Sequence, residues 1–571
     1  MRLAAALLAA GCLSGAAAGP AGAQNTPGSA PARPVDPNGL TTPRQQERPP
    51  KGHVRSAVQV IAIAKRVPRI ADVLRRHRGY TETAYMKGAD RWQVSFFAAR
   101  RGARPRPRRE IAQVLIWDRT GQVLEAWTGH QVAWSMARGY PGAFGRKANA
   151  LYLWVPLCLL FVLPFVDPRR PLRMLHLDLL ALVGFSASLA FFNHGEIGVS
   201  VPLAYPPLLY LLARMLWLAR PRRGPPDPVR LLVPATWLAI AVIFLLGFRW
   251  ALNLANSNVI DVGYAGVIGA DKLMDGEPLY GEFPRHNDHG DTYGPVAYYA
   301  YVPFEQALPW KGAWDDLPAA HAAAIFFDAL VAGLLWLLGR RIRGPTLGHA
   351  LAYGWASFPF TLYALNSNSN DSLVAALVVL ALLAASRPAL RGGAAALAGL
   401  TKFAPLALAP MLATYQAPGA TRSRARGVAS FALGFAVVGG AAMLPAILGN
   451  GLDTFWDRTL GFQGERGSPF SVWGFRGDLD GLQTAVQVAA VLLALVVAFL
   501  PRRRDVVTLA ALSAAVLIAV QLGVTHWFYL YVVWFLPVVL VALLGRGLVD
   551  RGEARPERAG GAARSSPPVP A

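Results

Sequence analysis

The chain has 571 residues, of which 54% are hydrophobic and only 16% are charged. A soluble domain carries about 25% charged residues, so this composition excludes an ordinary soluble enzyme. The apolar residues fall in repeated runs long enough to cross a ~30 Å hydrocarbon core. The net charge of +23 comes from arginines crowded into short loops between these runs, as the positive-inside rule describes, and no nucleic-acid partner is expected. We therefore predict an all-α polytopic protein of the cell membrane.

The N-terminus has the features of a cleaved secretory signal over residues 1–23. Arg2 precedes an apolar stretch, and the small residues Ala21, Gly22 and Ala23 follow it. Lipoprotein processing at Cys12 is the alternative. Two cysteines are too few for a disulfide framework or a thiolate metal cluster. Residues 24–53 are rich in Pro, Thr and Gln and are expected to form a disordered linker.

A small exported α+β module is predicted over residues 54–145. Apolar residues at helical spacing predict one helix over Val58–Arg76. Alternating residues predict three strands, at 91–97, 111–117 and 122–127. This arrangement resembles PepSY-like extracytoplasmic modules. Because the segment has no motif with evident chemistry, a spacer or docking role is the simplest interpretation.

Hydropathy and loop charge predict about eleven full spans plus one broken helix pair. The boundaries are four spans over 150–253, an outer loop at 254–317, the remaining bundle at 318–545 with a second outer loop at 449–480, and a cytoplasmic tail at 546–571.

The broken pair is predicted within Ala394–Tyr415. A single span there would leave the basic run Arg422–Arg426 outside. Pro405 removes an amide donor and disfavours helix at the residue before it, so a break near Lys402 has a physical cause. A chain that goes in and back at this point keeps every later loop consistent with the charge rule.

The polar residues with potential chemistry all fall on the predicted outer side. Asp261 opens a segment with near-helical spacing that suggests an amphipathic helix on the membrane surface. Its carboxylate is placed either to accept a proton from an attacking hydroxyl or to cap the helix. Both interpretations stay open from the residues alone.

Several basic residues occur where positive charge is unusual. Lys402 lies at membrane depth, where a charge is costly, and it either binds a phosphate or caps carbonyls at the helix break. Arg466 and Arg476 either grip phosphate bidentately or pair with nearby acids. His526 either donates to phosphate or sugar, or belongs to an interfacial aromatic belt. The His- and Asp-containing segment 285–291 reads as a solvated loop, and neither a metal nor another cofactor is predicted.

The order of these motifs resembles GT-C fold glycosyltransferases, most closely glycosyltransferase family 87, a polyprenyl-phosphate-mannose-dependent group. The matching features, between about Arg249 and Tyr415, are Asp261 followed by Tyr264 and Asp275-Gly-Glu-Pro-Leu-Tyr280, then Tyr293-Gly-Pro295, Asn368-Ser-Asn-Asp371 and Lys402-Phe-Ala-Pro405. The spans before Arg249 and the exported module lie outside the usual core of that family.

The resemblance implies a hexosyltransferase that works at the extracytoplasmic face with inversion. Asp261 would be the general base. The donor would be a hexose, mannose first, on a polyprenyl phosphate, and the acceptor a glycolipid or cell-envelope glycan. The remaining site residues are predicted to bind donor phosphate (Lys402, Arg466, Arg476, His526) or substrate (Asn258, Tyr264, Tyr280, Tyr293, Asn368, Asp371). The alternatives are a transporter or flippase for lipid-linked glycans, and an assembly or sensor protein acting through the exported module.

Overall fold

A computed structural model describes residues 39–99, 109–221, 227–284, 287–417, 423–501 and 504–549. The predicted signal, most of the linker and almost all of the tail lie outside these residues. Contacts divide the chain into two compact units. The first takes in the N-terminal part to Ala133 with Gly266–Gly276 and Tyr298–Ala320, and the second takes in the rest.

The N-terminal module in the first unit is a five-stranded antiparallel meander with two helices. The elements are β1 (Leu40–Thr41), α1 (Ala57–Lys65), α2 (Pro68–Arg76), β2 (Thr81–Lys87), β3 (Arg91–Phe97), β4 (Glu110–Trp117) and β5 (Val123–Thr128), with sheet order β1-β2-β3-β4-β5. Ser56 and Gln59 form a capping box that begins α1. The core contains Trp92 and Phe96, and the Trp92 indole donates to Asp118 over 2.8 Å.

Three features of this module differ from the sequence prediction. The single predicted helix is two, because Val67 is extended and Pro68 begins a new helix. Strand β2 escaped prediction because Ala84 is its one fully buried residue, so it lacks an apolar alternation. Strand β1 lies in the segment predicted to be disordered, and Leu40 pairs there with Lys87.

The second unit is helical. Its main elements are α3 (Leu151–Val162), α4 (Met174–Asn193), α5 (Ile197–Leu203), α6 (Tyr205–Leu218), β6 (Val229–Arg230), α7 (Ala235–Ala255), α8 (Asp261–Asp275), α9 (Pro318–Arg343), α10 (Pro345–Ser357), α11 (Pro359–Asn366), α12 (Asp371–Leu383), α13 (Pro388–Gly399), α14 (Ala409–Thr414), α15 (Arg424–Trp456), α16 (Asp480–Phe499), α17 (Val506–Leu522), α18 (Val532–Leu544) and β7 (Leu548–Val549). Parts of α8 and α9 are grouped with the first unit. Trp134–Gly145, predicted to end the module, groups with these helices instead.

Six helical segments of the described chain are long and apolar enough to cross a membrane: Met174–Asn193, Ile197–Leu218, Ala235–Ala255, Pro318–Arg343, Arg424–Gly464 and Asp480–Phe499. Five shorter apolar stretches accompany them: Leu151–Phe165, Asp371–Leu383, Ala404–Thr414, Val506–Leu522 and Tyr529–Leu544. The protein is therefore a polytopic membrane protein, as predicted. The exact number of crossings and their sidedness stay predictions.

The chain forms a hairpin around Lys402. Helix α13 ends at Gly399, a short 3-10 turn covers Ala404–Leu408, and α14 follows. Arg391, near the start of α13, donates to the carbonyl of Tyr415 over 3.1 Å, so the chain returns to the end from which it departed. The turn of the hairpin carries Lys402.

A buried ion pair fixes the end of α7, which leads into Asp261. Arg249 donates to both carboxylate oxygens of Asp328, at 3.3 and 2.5 Å, and both side chains are fully buried. Removing one partner of such a pair leaves an uncompensated buried charge. Asn253, one turn further along α7, donates to the carbonyl of Leu365 and to Asn368 Oδ1. These bonds join α7 to the Asn366–Asn370 turn.

Candidate active site

Asp261 is the first residue of α8, and the backbone before it is held by the turn that follows α11. The Asn258 and Ile260 amides donate to the carbonyls of Asn366 and Ser367, each over 3.2 Å. A Cβ at Gly263 would lie 2.1 Å from the carbonyl oxygen of Asn368, so only glycine permits this approach. The start of α8 is therefore fixed against the turn.

The Asp261 carboxylate lies in an electrostatically unusual place. Its side chain is exposed to solvent, yet the protein packed around it raises the pKa of the carboxyl through desolvation. The positive charges of Arg466 and Lys402, together with the amide of Val262, oppose this rise. These facts describe an exposed carboxylate that is partly desolvated by the surrounding protein and has two cations nearby.

Tyr293 is held near Asp261 by a tight backbone contact. A Cβ at Gly294 would lie 2.0 Å from the carbonyl oxygen of Leu400, which also accepts the Val296 amide over 3.1 Å. The Tyr280 hydroxyl donates to the Tyr293 carbonyl over 3.0 Å. Burial raises the pKa of Tyr293 well above its usual value, and the charge of Asp261 adds to the effect. Tyr293 is therefore a neutral phenol next to the carboxylate.

Lys402 is ion-paired, which neither interpretation of the sequence included. Its Nζ lies 2.5 Å from Asp371 Oδ1, and the two side chains are 9% and 0% exposed. The Trp534 indole donates to the same carboxylate oxygen over 2.8 Å. The ammonium also lies over the rings of Tyr293, Tyr531 and Trp534, between 5.3 and 5.7 Å from their centroids, within cation–π range.

His526 is neutral in this environment. Its Nδ1 lies 2.8 Å from Ser468 Oγ. Burial, with the charges of Arg466 and Lys402, lowers the pKa of His526 to about 3. At neutral pH the imidazole is therefore available only as a neutral hydrogen-bonding group.

The three arginines of the second predicted outer loop differ in their surroundings. Arg466 is close enough to Asp261, Tyr293 and His526 for its charge to shift the pKa of each. Arg476 is exposed and is not among the groups that affect Asp261. Arg458 pairs with Asp291 through bonds of 2.7 and 2.8 Å. The described residues contain no cluster of three His, Cys, Asp or Glu side chains that could hold a metal ion.

Four of the predicted substrate-binding residues take part in internal packing. Asn258 Oδ1 accepts the Gly145 amide over 2.8 Å. The side-chain amide of Asn368, a residue with φ of +50°, donates to Ser257 Oγ and to the Asn258 carbonyl, each over 3.0 Å. Tyr264 is fully buried, and Tyr280 is 1% exposed. These residues hold the site in place.

The structure brings Asp261, Tyr293, Asp371, Lys402, Arg466 and His526 to one location. It adds Tyr531 and Trp534, which the sequence analysis missed. The dense aromatic run from Trp527 to Trp534 was the available signal, but an interfacial belt has the same composition.

Comparison with known protein families gives a match over part of the chain. Residues 292–523 match the model of glycosyltransferase family 87, which confirms the predicted resemblance and indicates a glycosyltransferase. The match spans Tyr293, Asp371, Lys402 and Arg466, whereas Asp261 lies upstream of it and His526 just beyond it.

No curated protein matches the chain. Among solved structures, the crystal structure of ArnT from Cupriavidus metallidurans bound to undecaprenyl phosphate matches with 15% identity and a TM-score of 0.35. That match covers 54% of this chain and 60% of ArnT. Such a low score does not fix the fold, so the fold assignment rests on the helices and on the family match.

Proposed function

We propose, from the family 87 pattern over residues 292–523, that this protein is a membrane glycosyltransferase that transfers a hexose from a polyprenyl-phosphate donor. The donor sugar is mannose, and the acceptor is a glycolipid or cell-envelope glycan. The observation that carries the proposal is the solvent-exposed carboxylate of Asp261 beside two cations, Arg466 and Lys402. A base next to positive charge suits a displacement in which a phosphate leaves.

The proposed reaction is a single displacement. Asp261 takes the proton of an acceptor hydroxyl, whose oxygen forms a bond to the anomeric carbon of the sugar. The bond from that carbon to the phosphate oxygen breaks, and polyprenyl phosphate leaves with the electron pair. One displacement inverts the anomeric centre.

The other site residues assist this step in the proposal. Arg466 and Lys402 offset the charge that develops on the departing phosphate. The neutral imidazole of His526 and the phenol of Tyr293 donate or accept hydrogen bonds to the sugar or the phosphate. The site faces the extracytoplasmic side in this proposal, where lipid-linked sugars supply the donor.

The proposal is tested by direct transfer. Purified full-length protein is incubated with radiolabelled polyprenyl-phosphate mannose and a membrane lipid extract, and labelled product is measured. General-base catalysis contributes about 10²–10⁴-fold, so Asp261→Asn should lower turnover by that factor while donor binding persists. The amide keeps the size of the side chain and still caps a helix, which separates the base role from a capping role.

Asp275→Asn is the matched control, because Asp275 is an exposed aspartate at the other end of α8. It should leave turnover unchanged. Near wild-type transfer by Asp261→Asn would refute the assignment of the base. If no labelled product forms with wild-type protein and any polyprenyl-phosphate hexose, the transporter alternative replaces the enzyme.

A further inference from the structure

A cavity of about 370 Å³ lies among the ends of three helices. It is bounded by the first turns of α4, the last turns of α6 and α18, and the paired strands β6 and β7. Four arginines and two aspartates lie in its wall: Arg170, Arg173, Arg214, Arg546, Asp178 and Asp227. None of these residues belongs to the site around Asp261.

Internal hydrogen bonds hold the wall of this cavity in place. The Asp178 carboxylate is fully buried and receives Arg214 at 2.8 and 3.1 Å and the Tyr210 hydroxyl at 2.6 Å. The Val229 amide donates to the carbonyl of Gly547 over 2.6 Å, which joins the chain before α7 to the chain after α18. These bonds fix the wall of the cavity, and the pairing with Asp178 takes up Arg214.

Two further arginines of the wall differ in how firmly they are held. Arg170 pairs with Asp227 over 2.6 Å, but the two side chains are 56% and 50% exposed. Arg546 pairs with Asp505 over 3.1 Å, but it is only 24% exposed and also donates to the Leu218 carbonyl over 3.3 Å and to Thr508 Oγ1 over 2.5 Å. The exposed Arg170–Asp227 pair contributes little to stability, so Arg170 can turn to a phosphate, whereas Arg546 is held at the wall by its other hydrogen bonds. The wall has four arginines and two aspartates, and two aspartates outside it, Asp505 and Asp167, pair with Arg546 and Arg173.

The rim of the cavity is apolar. Leu172 is 97% exposed, Trp217 is 56% exposed and Met174 is 49% exposed. Met174 begins α4, and Trp217 lies at the end of the span Ile197–Leu218, so both belong to helices that can cross the membrane. Tryptophan is enriched at the level of lipid headgroups, and basic pockets between spanning helices bind anionic headgroups.

We propose that this cavity is a binding site for the headgroup of an anionic phospholipid. The phosphate contacts Arg170 and Arg546, and the acyl chains run along Leu172 and Trp217. The site is independent of the proposed sugar transfer and stands whether or not that proposal holds.

The test uses full-length protein stripped of lipid in detergent. Phosphatidylglycerol, cardiolipin and phosphatidylcholine are titrated separately, and bound lipid is counted by native mass spectrometry alongside the thermal unfolding midpoint. Charge-assisted contacts to phosphate are strong, so the anionic lipids should bind at least about tenfold more tightly than phosphatidylcholine. Arg170→Gln and Arg546→Gln should each weaken that binding by about tenfold.

Arg169→Gln is the matched control, because Arg169 is an exposed arginine of the same loop that lies outside the cavity wall. It should bind lipid as the wild type does. The two test arginines lie on separate segments, so misfolding of one variant leaves the other informative.

Four results would overturn the site. One is unchanged lipid binding in both variants, and another is equal binding of phosphatidylcholine. The third is stabilisation by inorganic phosphate that matches the effect of phosphatidylglycerol at the same concentration, because the cavity would then bind soluble phosphate. An equal loss of binding in Arg169→Gln would likewise reduce the effect to general surface charge.

Discussion

Lys402 Nζ lies 2.5 Å from Asp371 Oδ1 in a buried ion pair. The pair joins the turn of the α13–α14 hairpin to the first residue of α12. The Lys402 ammonium is already paired with the Asp371 carboxylate. A donor phosphate that binds Lys402 must therefore share the ammonium with Asp371. The role predicted for Lys402 from the sequence therefore depends on how the pair responds to the donor.

We expect single substitutions in this pair to destabilise the protein. Lys402→Met leaves the buried Asp371 carboxylate without its cation, and breaking a buried pair on one side costs about 3–5 kcal/mol. Asp371→Asn leaves the ammonium unpaired with a similar cost. The double variant Lys402→Met/Asp371→Asn removes both charges and keeps an acceptor for the Trp534 indole, so it should recover most of the lost stability. Thermal unfolding of the four proteins in detergent measures this.

Donor binding then separates the two roles of Lys402. If Lys402 also contacts phosphate, the double variant regains stability but binds the donor more weakly, by about 1.5–3 kcal/mol for a charged hydrogen bond. Binding of a polyprenyl-phosphate analogue to the stable double variant measures this loss. Recovery of both stability and donor affinity would assign Lys402 a purely structural role.

The pH dependence of transfer should respond to Arg466. Desolvation raises the pKa of the Asp261 carboxyl, and the positive charge of Arg466 opposes that rise. Removing the charge in Arg466→Gln therefore raises this pKa further. Since the base must be ionised, the acid limb of the kcat/KM profile should move to higher pH in the variant.

Arg476→Gln is the control for this experiment. Arg476 belongs to the same loop and is exposed, and it is absent from the groups that shift the pKa of Asp261. Its variant should keep the wild-type acid limb. An acid limb that stays in place in Arg466→Gln would contradict Asp261 as the titrating base.

The stability of the protein should fall in acid because of His526. Burial lowers the pKa of His526 to about 3 in the folded chain, whereas an unfolded histidine titrates near pH 6.5. The unfolded state therefore binds a proton first, and folding stability is complete above about pH 6.5 and is lost as the pH decreases below it. The loss approaches about 1.4 kcal/mol per pH unit.

In His526→Gln the unfolded chain no longer gains a proton at this position, and the glutamine keeps a hydrogen-bonding group for Ser468. Between pH 7 and pH 5 its unfolding midpoint should decrease less than that of the wild type. The remaining acid-sensitive groups are common to both proteins, so the difference reports His526. Equal decreases would show that His526 titrates as an ordinary histidine.

Composition and charge are enough to predict a helical membrane protein. The helix break is also predictable, because Pro405 and the basic run after it are visible in the sequence. The partner of Lys402 was not visible, because Asp371 is 31 residues away and the pair depends on how α12, α13 and α18 pack. The spacing of residues along the sequence does not show which helices pack together. The roles of Asn258 and Asn368 were hidden for a similar reason. An asparagine that binds a sugar and an asparagine that fixes a turn look the same in a sequence.

The sidedness of the α13–α14 hairpin is open to direct measurement. Ser423 is exposed at the start of α15, and Asp478 is exposed in the second predicted outer loop. Ser468, in the same loop, is unsuitable because it is 6% exposed and bonded to His526. In a variant without Cys12 and Cys158, Asp478→Cys should react with an impermeant thiol reagent on intact cells. Ser423→Cys should react only after the membrane is permeabilised.

Permeabilised cells are the control, because both cysteines must react there if both proteins are folded and exposed. The expected pattern rests on Arg391, which reaches the carbonyl of Tyr415 and so brings the two ends of the hairpin together. Labelling of Ser423→Cys on intact cells would mean that both ends of the hairpin lie on the extracytoplasmic side. The hairpin turn would then not lie at the extracytoplasmic side, and Lys402 could not face a donor phosphate there.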